Sequence, residues 1–426
     1  MKRNKRLATR GSALPVIIAV ILTLAAGAWA QSEYKTLHAF TGASNDGANP
    51  EAGLISDRSG NLYGTTASGG GGCGGTVFKL KRAADGSWKS RVLYGFGQLP
   101  YCLDGQGPLG GLVFDRSGNL YGTTRVGGKG TCNSGNGGCG VVFKLSPRRD
   151  GSWTESVLHN FCATDCSDGA YPTTGLIFDG AGSLYGTATA GGAAGAGTVF
   201  KLSANTDGSW SEIVLHSFCS MANCADGRGP DGGLTIDHSG NLYGTTAAGG
   251  AHSDGTVFGL TQNADGSWTE KILHDFAADG IEPVGGLVFD RKGNLYGTTS
   301  QGGAGFGIVF ELLWNQDGSW TESTLYSFTG TNGDGFQPLA GVTFDAAGSL
   351  YGTTVYGGAT GCNCGVVFKL SPNSQGGWQE AILHRFHEHP GGIPLAGVTF
   401  DKAGNLYGTT NGSFSANAGS VFAIMP

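Results

Sequence analysis

The feature that most constrains this chain is a four-residue tag, Leu-Tyr-Gly-Thr, that returns seven times. Successive copies are 53 to 64 residues apart. A period in this range is typical of propellers and solenoids, in which each unit consists of a few short elements. We therefore expect seven similar units, and not the two or three unrelated domains that 426 residues would otherwise suggest. The tags begin at Leu62, Leu120, Leu184, Leu242, Leu295, Leu350 and Leu406.

Each unit has the pattern of four short strands. Val, Ile, Phe, Tyr and Thr dominate the pieces, as they do in β-strands, and Asp150-Gly151 between two of them is a hairpin signal. The chain has 80 glycines, which supply the positive φ angles of many tight turns. Gly122, directly after Tyr121, is expected to let neighbouring sheets approach closely. In the second unit the four pieces are 111–115, 120–124, 141–145 and 153–161.

The two ends of the chain complement each other. The seventh unit has only three pieces, 397–401, 406–410 and 420–424, whereas residues 34–40 near the N-terminus copy the missing fourth piece. The extra strand near the N-terminus and the missing fourth strand of the seventh unit together favour a closed ring. We therefore predict an all-β, seven-bladed β-propeller with four antiparallel strands per blade, closed by the N-terminal strand that completes the last blade. A stacked β-solenoid is the alternative.

The N-terminus has the pattern of a secretory signal peptide. Five basic residues precede an apolar run at about 13–26, and Ala28-Trp29-Ala30 places small residues where signal peptidase cleaves. We expect a signal peptide at 1–30 and a single propeller domain at 31–426, secreted to the periplasm or the cell exterior. An uncleaved anchor helix is the alternative, although the run is shorter than the ~20 residues of a span. The blades are expected to start near residues 53, 111, 175, 233, 286, 341 and 397.

Charge and hydropathy restrict the partners. Cleavage would remove five of the 26 Lys and Arg residues and none of the 32 Asp and Glu residues, which leaves a net charge of −11. Nucleic-acid binding needs basic patches that neutralise phosphate, so this composition argues against it. No other stretch of the sequence reaches transmembrane length, so no membrane association is expected after cleavage.

The motifs of the unit are similar to a known repeat. The run GNLYGTT…GG…GTVFKL…LHSF…DG…P…GL resembles the GloVer-type tandem repeat of secreted choice-of-anchor bacterial proteins. The resemblance covers essentially all of 31–426 and implies a repeat protein whose biochemical role is not assigned. Members often carry a C-terminal sorting or anchoring segment, whereas this sequence ends in a blade strand at 421–426.

The long loops are expected to share one face of the ring. In a propeller, the loops after the second and fourth strands lie on one face, here named the loop face, and the turns after the first and third strands lie on the other, the turn face. The long, variable loops 129–138, 162–170 and 219–229 all belong to the loop face. Variable loops on a rigid scaffold are where binding residues concentrate.

All ten cysteines also fall on the loop face, and secretion would permit disulfides. A zinc or redox role is the alternative to loop stapling, although CxxC metal spacing occurs nowhere in the sequence. A one-residue separation would strain the last pair. The expected pairs are Cys162–Cys166, Cys219–Cys224, Cys73–Cys102, Cys132–Cys139 and Cys362–Cys364.

An Asp-Gly motif precedes the first strand in six units. Ring geometry would place the six carboxylates around the channel mouth, where they could hold a polar ligand or a hard cation such as calcium. The alternative is that each Asp caps its own turn through backbone N–H groups. The six residues are Asp46, Asp104, Asp168, Asp226, Asp279 and Asp334.

One position of the fourth strand is occupied by His in five units and by Tyr in two. This exchange predicts a shared hydrogen bond and not proton transfer. The Trp residues of Asp-Gly-Ser-Trp, such as Trp88, are expected to cover the outer strand, with a sugar-stacking platform as the alternative. The exchanging residues are His38, His159, His216, His274, His384, Tyr94 and Tyr326.

The seventh unit departs from the Asp-Gly motif. It has His387-Glu388-His389 instead, and two His flanking a Glu are candidate metal ligands or acid–base groups. Outside this triplet the sequence has no GxSxG, no Walker loop and no carboxylate pair distinct from the repeat.

These observations favour a secreted, non-catalytic propeller, without a cofactor, that presents a variable, disulfide-stapled loop face to a protein or polysaccharide ligand. A catalytic site needs one set of residues, whereas the repeat offers seven copies, so an enzyme is less favoured. The alternatives are a lyase-type or lactonase-type propeller enzyme that uses a divalent cation, and a structural component of the envelope or matrix.

Overall fold

The repeated turn is stabilised by its own aspartate. One carboxylate oxygen of Asp115 accepts hydrogen bonds from the backbone N–H groups of Ser117 and Asn119, at 2.8 and 2.9 Å. The other accepts from the Asn119 side chain and from the Tyr121 hydroxyl, at 2.6 and 3.1 Å. Gly118 completes the turn with φ of +83°, which favours glycine. The Asp-x-x-Gly-Asn-x-Tyr pattern therefore fixes the hairpin that joins the first two strands of a blade.

The computed structural model describes residues 33–72, 74–132, 137–358, 361–387, 391–412 and 418–425. Its strands form seven four-stranded antiparallel sheets. The first strands are Ile55–Ser56, Val113–Phe114, Ile177–Phe178, Thr235–Ile236, Val288–Phe289, Thr343–Phe344 and Thr399–Phe400. The second strands are Leu62–Thr66, Leu120–Thr124, Leu184–Ala188, Leu242–Thr246, Leu295–Thr299, Leu350–Thr354 and Leu406–Thr410.

The third and fourth strands are longer. The third strands are Thr76–Arg82, Val141–Pro147, Thr198–Ala204, Thr256–Gln262, Ile308–Trp314, Val366–Pro372 and Ser420–Met425. The fourth strands are Trp88–Gly95, Trp153–Asn160, Trp210–Ser217, Trp268–Asp275, Trp320–Ser327, Trp378–Arg385 and, for blade 7, Glu33–Ala39. Two-residue strands pair Gly47–Ala48 with Ser68–Gly69 and Gly335–Phe336 with Tyr356–Gly357, and 3₁₀ turns lie at Pro100–Cys102 and Ala222–Cys224.

The N-terminal strand completes the last blade, as predicted. Glu33–Ala39 pairs antiparallel with Ser420–Met425, from Glu33 opposite Met425 to Ala39 opposite Ser420. The sheet order of this blade is Glu33–Ala39, Ser420–Met425, Leu406–Thr410 and Thr399–Phe400. The seven-bladed, four-stranded propeller closed by the first strand is therefore confirmed, and the solenoid alternative is wrong.

The core lies between the blades. The Phe that follows each fourth strand packs edge-on against the Phe in the third strand of the next blade, with ring centroids 5.0 to 5.2 Å apart. Such edge-to-face pairs add to the free energy of burying the rings. The pairs are Phe96–Phe143, Phe161–Phe200, Phe218–Phe258, Phe276–Phe310, Phe328–Phe368, Phe386–Phe422 and, across the closure, Phe40–Phe78.

Threonines of the second strands tie neighbouring blades together near the ring axis. The Thr65 hydroxyl donates to the Gly110 carbonyl of the next blade at 3.2 Å, and Thr123 donates to the Thr174 carbonyl at 2.8 Å. The same bond closes the ring, because the Thr409 hydroxyl donates to the Ala52 carbonyl at 3.0 Å. Among the described residues, six blades are therefore held to the next by a polar contact as well as by apolar packing, whereas Thr187 of blade 3 bonds to Thr174 of its own blade.

Two local expectations were wrong. The first strand of the second unit is two residues long, Val113–Phe114, and not 111–115. The Gly110 carbonyl, just before the predicted piece, accepts from Thr65 of the neighbouring blade, and Asp115 already belongs to the turn. Gly122 does not make room for a neighbouring sheet. A Cβ at Gly122 would lie 2.7 Å from the Phe143 ring of its own blade.

The predicted signal peptide at 1–30 lies outside the described residues. Residues Ser32–Pro426 form one compact unit. Across the ranges that the structure describes, helices of the length and hydropathy needed to cross a membrane do not occur.

Candidate functional site

The loop face is rigid because the loop after the fourth strand of one blade pairs with the loop after the second strand of the next blade. Backbone bridges join Gln106 to Val126 and Arg228 to Ala248, and the short strands Gly335–Phe336 and Tyr356–Gly357 make the same connection between blades 5 and 6. Side chains on these loops are therefore held at fixed positions above the sheets.

The six motif aspartates are hydrogen-bonded within their own loops. Fully buried Asp104 accepts from the backbone N–H groups of Gly97 and Gln98, both at 2.9 Å, and from the Tyr94 hydroxyl at 2.8 Å. Asp226 accepts from the backbone N–H and the hydroxyl of Ser220, both at 2.8 Å. Comparable backbone bonds reach Asp46, Asp168, Asp279 and Asp334.

These hydrogen bonds also change the pKa of the carboxyl group in Asp46. Burial opposes the ionisation of Asp46, but hydrogen bonds from His38 and from the Thr41 backbone outweigh it and lower the pKa of Asp46 below its ordinary value. The structural role accounts for the position and burial of the motif. The polar-ligand or calcium collar stays a prediction.

Three of the strand-four His and Tyr residues form hydrogen bonds with these aspartates. His38 lies 3.1 Å from Asp46, His159 lies 2.9 Å from Asp168, and Tyr94 donates to Asp104. The predicted hydrogen bond is therefore present in blades 1, 2 and 7, whereas the Nε2 atoms of His216 and His274 lie 3.4 and 4.0 Å from Asp226 and Asp279 and lack a hydrogen-bond partner among the described residues. Tyr326 differs, because it donates at 3.0 Å to Glu380 of the next blade.

A set of glutamates facing these pairs was missed by the sequence analysis. Each lies two residues after the Trp that begins a fourth strand, and each faces the His–Asp or Tyr–Asp pair of the preceding blade. Burial, with the nearby Asp104 carboxylate, raises the pKa of Glu155 to about 8. Burial also raises the pKa values of Glu212, Glu270 and Glu380 to about 7.

The interface between blades 6 and 7 lacks such a glutamate. Tyr34 occupies that position of the N-terminal strand and stacks on His384 of blade 6, with ring centroids 3.8 Å apart. Burial, followed by the neighbouring His387, lowers the pKa of His384 to about 4. The interface between blades 6 and 7 is therefore aromatic where the interfaces from blade 1 to blade 6 use carboxyl groups, and blade 1 has Ser90 at the glutamate position.

The cysteines are paired along the loop face. The structure joins Cys132 to Cys139, Cys162 to Cys166, Cys219 to Cys224 and Cys362 to Cys364. Cys102 is also disulfide-bonded, and its predicted partner, Cys73, lies outside the described residues.

Two loops of the same shape carry different exposed side chains. In blade 1, Tyr101 has φ of 57° and ψ of 24° within the turn after Leu99; in blade 3, Asn223 has φ of 58° and ψ of 23° in the turn after Met221. Tyr101 is 88% exposed, Met221 54% and Leu99 47%. The backbone is thus constant while the apolar side chains at its tip vary.

The turn face carries grooves between neighbouring blades. One of about 730 Å³ lies between blades 4 and 5. Its walls include Tyr243 and Asp237 of blade 4, and Arg291, Trp314 and Trp320 of blade 5. Similar grooves lie between blades 2 and 3 and between blades 5 and 6.

The tryptophans contribute to these grooves. Trp320 packs edge-on against Tyr243 of the preceding blade, with centroids 6.3 Å apart, and Trp210 packs at a tilt against Tyr121. The expectation that they cover their own outer strand therefore missed this contact between blades. Trp314, 53% exposed, also lines a groove although it lies outside the Asp-Gly-Ser-Trp motif, and that departure from the repeat was the signal that could have found it.

The His387-Glu388-His389 candidate falls largely outside the described residues, which include only His387. That residue is exposed and its backbone forms a bridge with Gly391. A metal or acid–base role for the triplet stays a prediction.

Comparison with known proteins gives a matching family and solved structures that are similar to this chain. The Gloeobacter/Verrucomicrobia repeat matches residues 23–131, 130–333 and 283–426. A putative oxidoreductase (glucose dehydrogenase) from Thermus thermophilus is similar at 17% identity, covering 75% of this chain and 96% of that one, with a TM-score of 0.43. Among curated proteins, none matches this chain.

Proposed function

Because the chain belongs to the Gloeobacter/Verrucomicrobia repeat family, we propose that it is a secreted, non-catalytic binding propeller whose disulfide-stapled loop face binds another protein. The observation that carries the proposal is the pair of matched loops in blades 1 and 3. They present Leu99 and Tyr101 in one case and Met221 in the other on the same backbone. A constant frame with a varied tip is what a binding scaffold requires.

The side chains favour a protein as the ligand. Tyr and Met are enriched in the centres of protein interfaces, and an exposed Tyr on a rigid backbone loses little conformational entropy when it binds. Asp104 supplies that rigidity through its bonds to the backbone of Gly97 and Gln98. The tip residues Leu99, Pro100 and Met221 offer no hydrogen-bonding side chains, so they suit an apolar protein surface better than a sugar.

A polysaccharide is the second candidate, and the groove between blades 4 and 5 favours it. Exposed Trp314 and half-buried Trp320 line this groove together with Asp237 and Arg291. Aromatic faces beside charged hydrogen-bonding groups are the chemistry with which proteins hold sugar rings. This ligand would use the turn face and not the loop face.

One array experiment separates the two candidates. The purified protein is applied to printed proteins of a bacterial envelope and to printed polysaccharides, in parallel with a Leu99→Ser/Tyr101→Ser variant and a Trp314→Ala variant. The proposal expects a protein ligand whose binding weakens at least about tenfold in the loop variant, as loss of a hot-spot anchor requires, and is unchanged in Trp314→Ala.

The matched control is Ile213→Ser/Val214→Ser, which removes exposed apolar side chains, 52% and 37% exposed, from an outer strand. Binding equal to the native protein is expected for it. Polysaccharide binding that only Trp314→Ala abolishes would replace the protein proposal with the second candidate. Protein binding that the loop variant leaves unchanged would contradict the role of the loop tips.

A further inference from the structure

Four cysteine sulfurs from two separate loops of blade 2 meet at one point. Cys132 and Cys139 lie in the loop after the second strand, and Cys162 and Cys166 lie in the loop after the fourth. All four Sγ atoms are within 4.8 Å of one another. Cys132 Sγ and Cys162 Sγ, which belong to different disulfides, are 4.0 Å apart.

The 4.0 Å between sulfurs of the two different disulfides is close to the spacing of a tetrathiolate metal site. Zinc binds thiolate sulfur at about 2.3 Å in tetrahedral geometry, which separates neighbouring sulfurs by about 3.8 Å. Cys139 and Cys162 are buried, at 0% and 2% exposed, and the other two are half-buried. The cluster therefore supplies both the number of ligands and the shielding from water that a closed structural zinc site has.

We propose that the reduced form of blade 2 binds one Zn²⁺ through Cys132, Cys139, Cys162 and Cys166. The two disulfides are the oxidised, metal-free form of the same cluster. The site and the disulfides are exclusive, because a sulfur in a disulfide has no thiolate lone pair to give to the metal.

A dithiol is the reductant that converts the disulfide form into the metal-binding thiol form. Two equivalents of dithiol each transfer two electrons and two protons, so that both S–S bonds are broken, four thiols form, and the reductant leaves as two disulfides. Zn²⁺ then displaces the thiol protons as it binds. In the reverse direction, two equivalents of a small-molecule disulfide take up four electrons from the four thiolates, so that both protein disulfides re-form, the oxidant leaves as four thiolates and the metal is released.

Blade 3 offers a matched comparison inside the same molecule. Cys219–Cys224 lies in the loop after the fourth strand of blade 3, which is equivalent to the loop of blade 2 that carries Cys162–Cys166. The other loop of blade 3, residues 189–197, contains no cysteine, so this pair has two sulfurs where blade 2 has four. The proposal therefore assigns metal binding to blade 2 and not to every disulfide of the loop face.

Cobalt is the probe of the site. The purified protein is reduced with dithiothreitol without oxygen, freed of reductant and titrated with Co²⁺, and then with Zn²⁺. The expected result is one Co²⁺ per chain with the intense visible bands of tetrahedral cobalt and a thiolate-to-cobalt charge-transfer band, both lost on adding one equivalent of Zn²⁺. Zn²⁺ should also raise the melting temperature of the reduced protein in a saturable way.

Cys219→Ser/Cys224→Ser should keep the full cobalt spectrum, and Cys162→Ser/Cys166→Ser should lose it. A second variant, Cys132→Ser/Cys139→Ser, should lose it equally, which covers the case in which one loop fails to fold without its cysteines; circular dichroism checks the fold of each. A reduced, folded native protein without the charge-transfer band would overturn the proposal. Equal bands in the Cys162→Ser/Cys166→Ser variant, or disulfides that dithiothreitol leaves intact in the folded protein, would do the same.

Discussion

At the scale of single residues, the glycine of the Leu-Tyr-Gly-Thr tag is a tightly packed position of the blade. A Cβ at Gly122 would lie 2.7 Å from Phe143 Cζ and 3.1 Å from Leu112 Cδ2. Phe143 is completely buried and cannot move aside. We expect Gly122→Ala to lower the free energy of unfolding by about 1–3 kcal/mol, the cost of overpacking a core, as measured by urea unfolding.

Gly111, in the same blade, is the control for that substitution. A Cβ there would meet nothing within 4 Å, and its φ is not positive, so Gly111→Ala should be neutral or stabilising by up to about 1 kcal/mol. Equal losses for the two variants would show that the contact with Phe143 does not decide the effect.

The residue scale also separates what the sequence could predict from what it could not. Spacing along the chain was enough to locate Leu120–Thr124 and to pair Cys162 with Cys166, because both are local. The contact of Glu155 with the Tyr94–Asp104 pair crosses two blades, and the meeting of Cys132 with Cys162 crosses two loops. The glutamate recurs two residues after the Trp of five units, but residue spacing does not show which residues it or Cys132 contacts, so both contacts needed the fold.

At the scale of elements, the fourth strands make the fold sensitive to pH. Glu155 faces Asp104 and Tyr94 across a blade interface, and burial raises its pKa from 4.5 to about 8. A carboxyl whose pKa is raised in the folded state holds a proton that the unfolded chain has lost, so folding stability falls as pH rises from the unfolded pKa to the folded one. The melting temperature should therefore fall between about pH 4.5 and pH 8.

The Glu155→Gln variant should show a smaller decrease in melting temperature with pH than the native protein. Its melting temperature should be near the native value at about pH 4.5 and above the native value at about pH 8. Asp207→Asn is the control. Hydrogen bonds from the Ser209 hydroxyl and backbone lower the pKa of Asp207, so it stays ionised throughout this range and its variant should keep the native slope. A Glu155→Gln variant that follows the native curve at every pH would contradict the raised pKa.

At the scale of the whole molecule, circularity makes the two ends of the chain equivalent to its middle. Phe40 packs on Phe78 across the closure with centroids 5.1 Å apart, and Phe161 packs on Phe200 between blades 2 and 3 at the same distance. Phe40 is 5% exposed and Phe161 is fully buried. In a closed propeller both phenyl rings fill an interface between two blades. In an open array of blades the phenyl ring of the terminal strand would contribute little to the stability of the protein.

We therefore expect Phe40→Ala and Phe161→Ala to destabilise the protein comparably, each by about 3–5 kcal/mol, as truncation of a buried Phe does. Urea unfolding of the two variants measures this. The polar closure gives an independent check, because removing the Thr409 hydroxyl, which donates to the Ala52 carbonyl, should cost about as much as the same change at Thr123. A Phe40→Ala variant as stable as the native protein, beside a strongly destabilised Phe161→Ala, would mean that blade 7 unfolds without disturbing its neighbours and that the ring does not act as one cooperative unit.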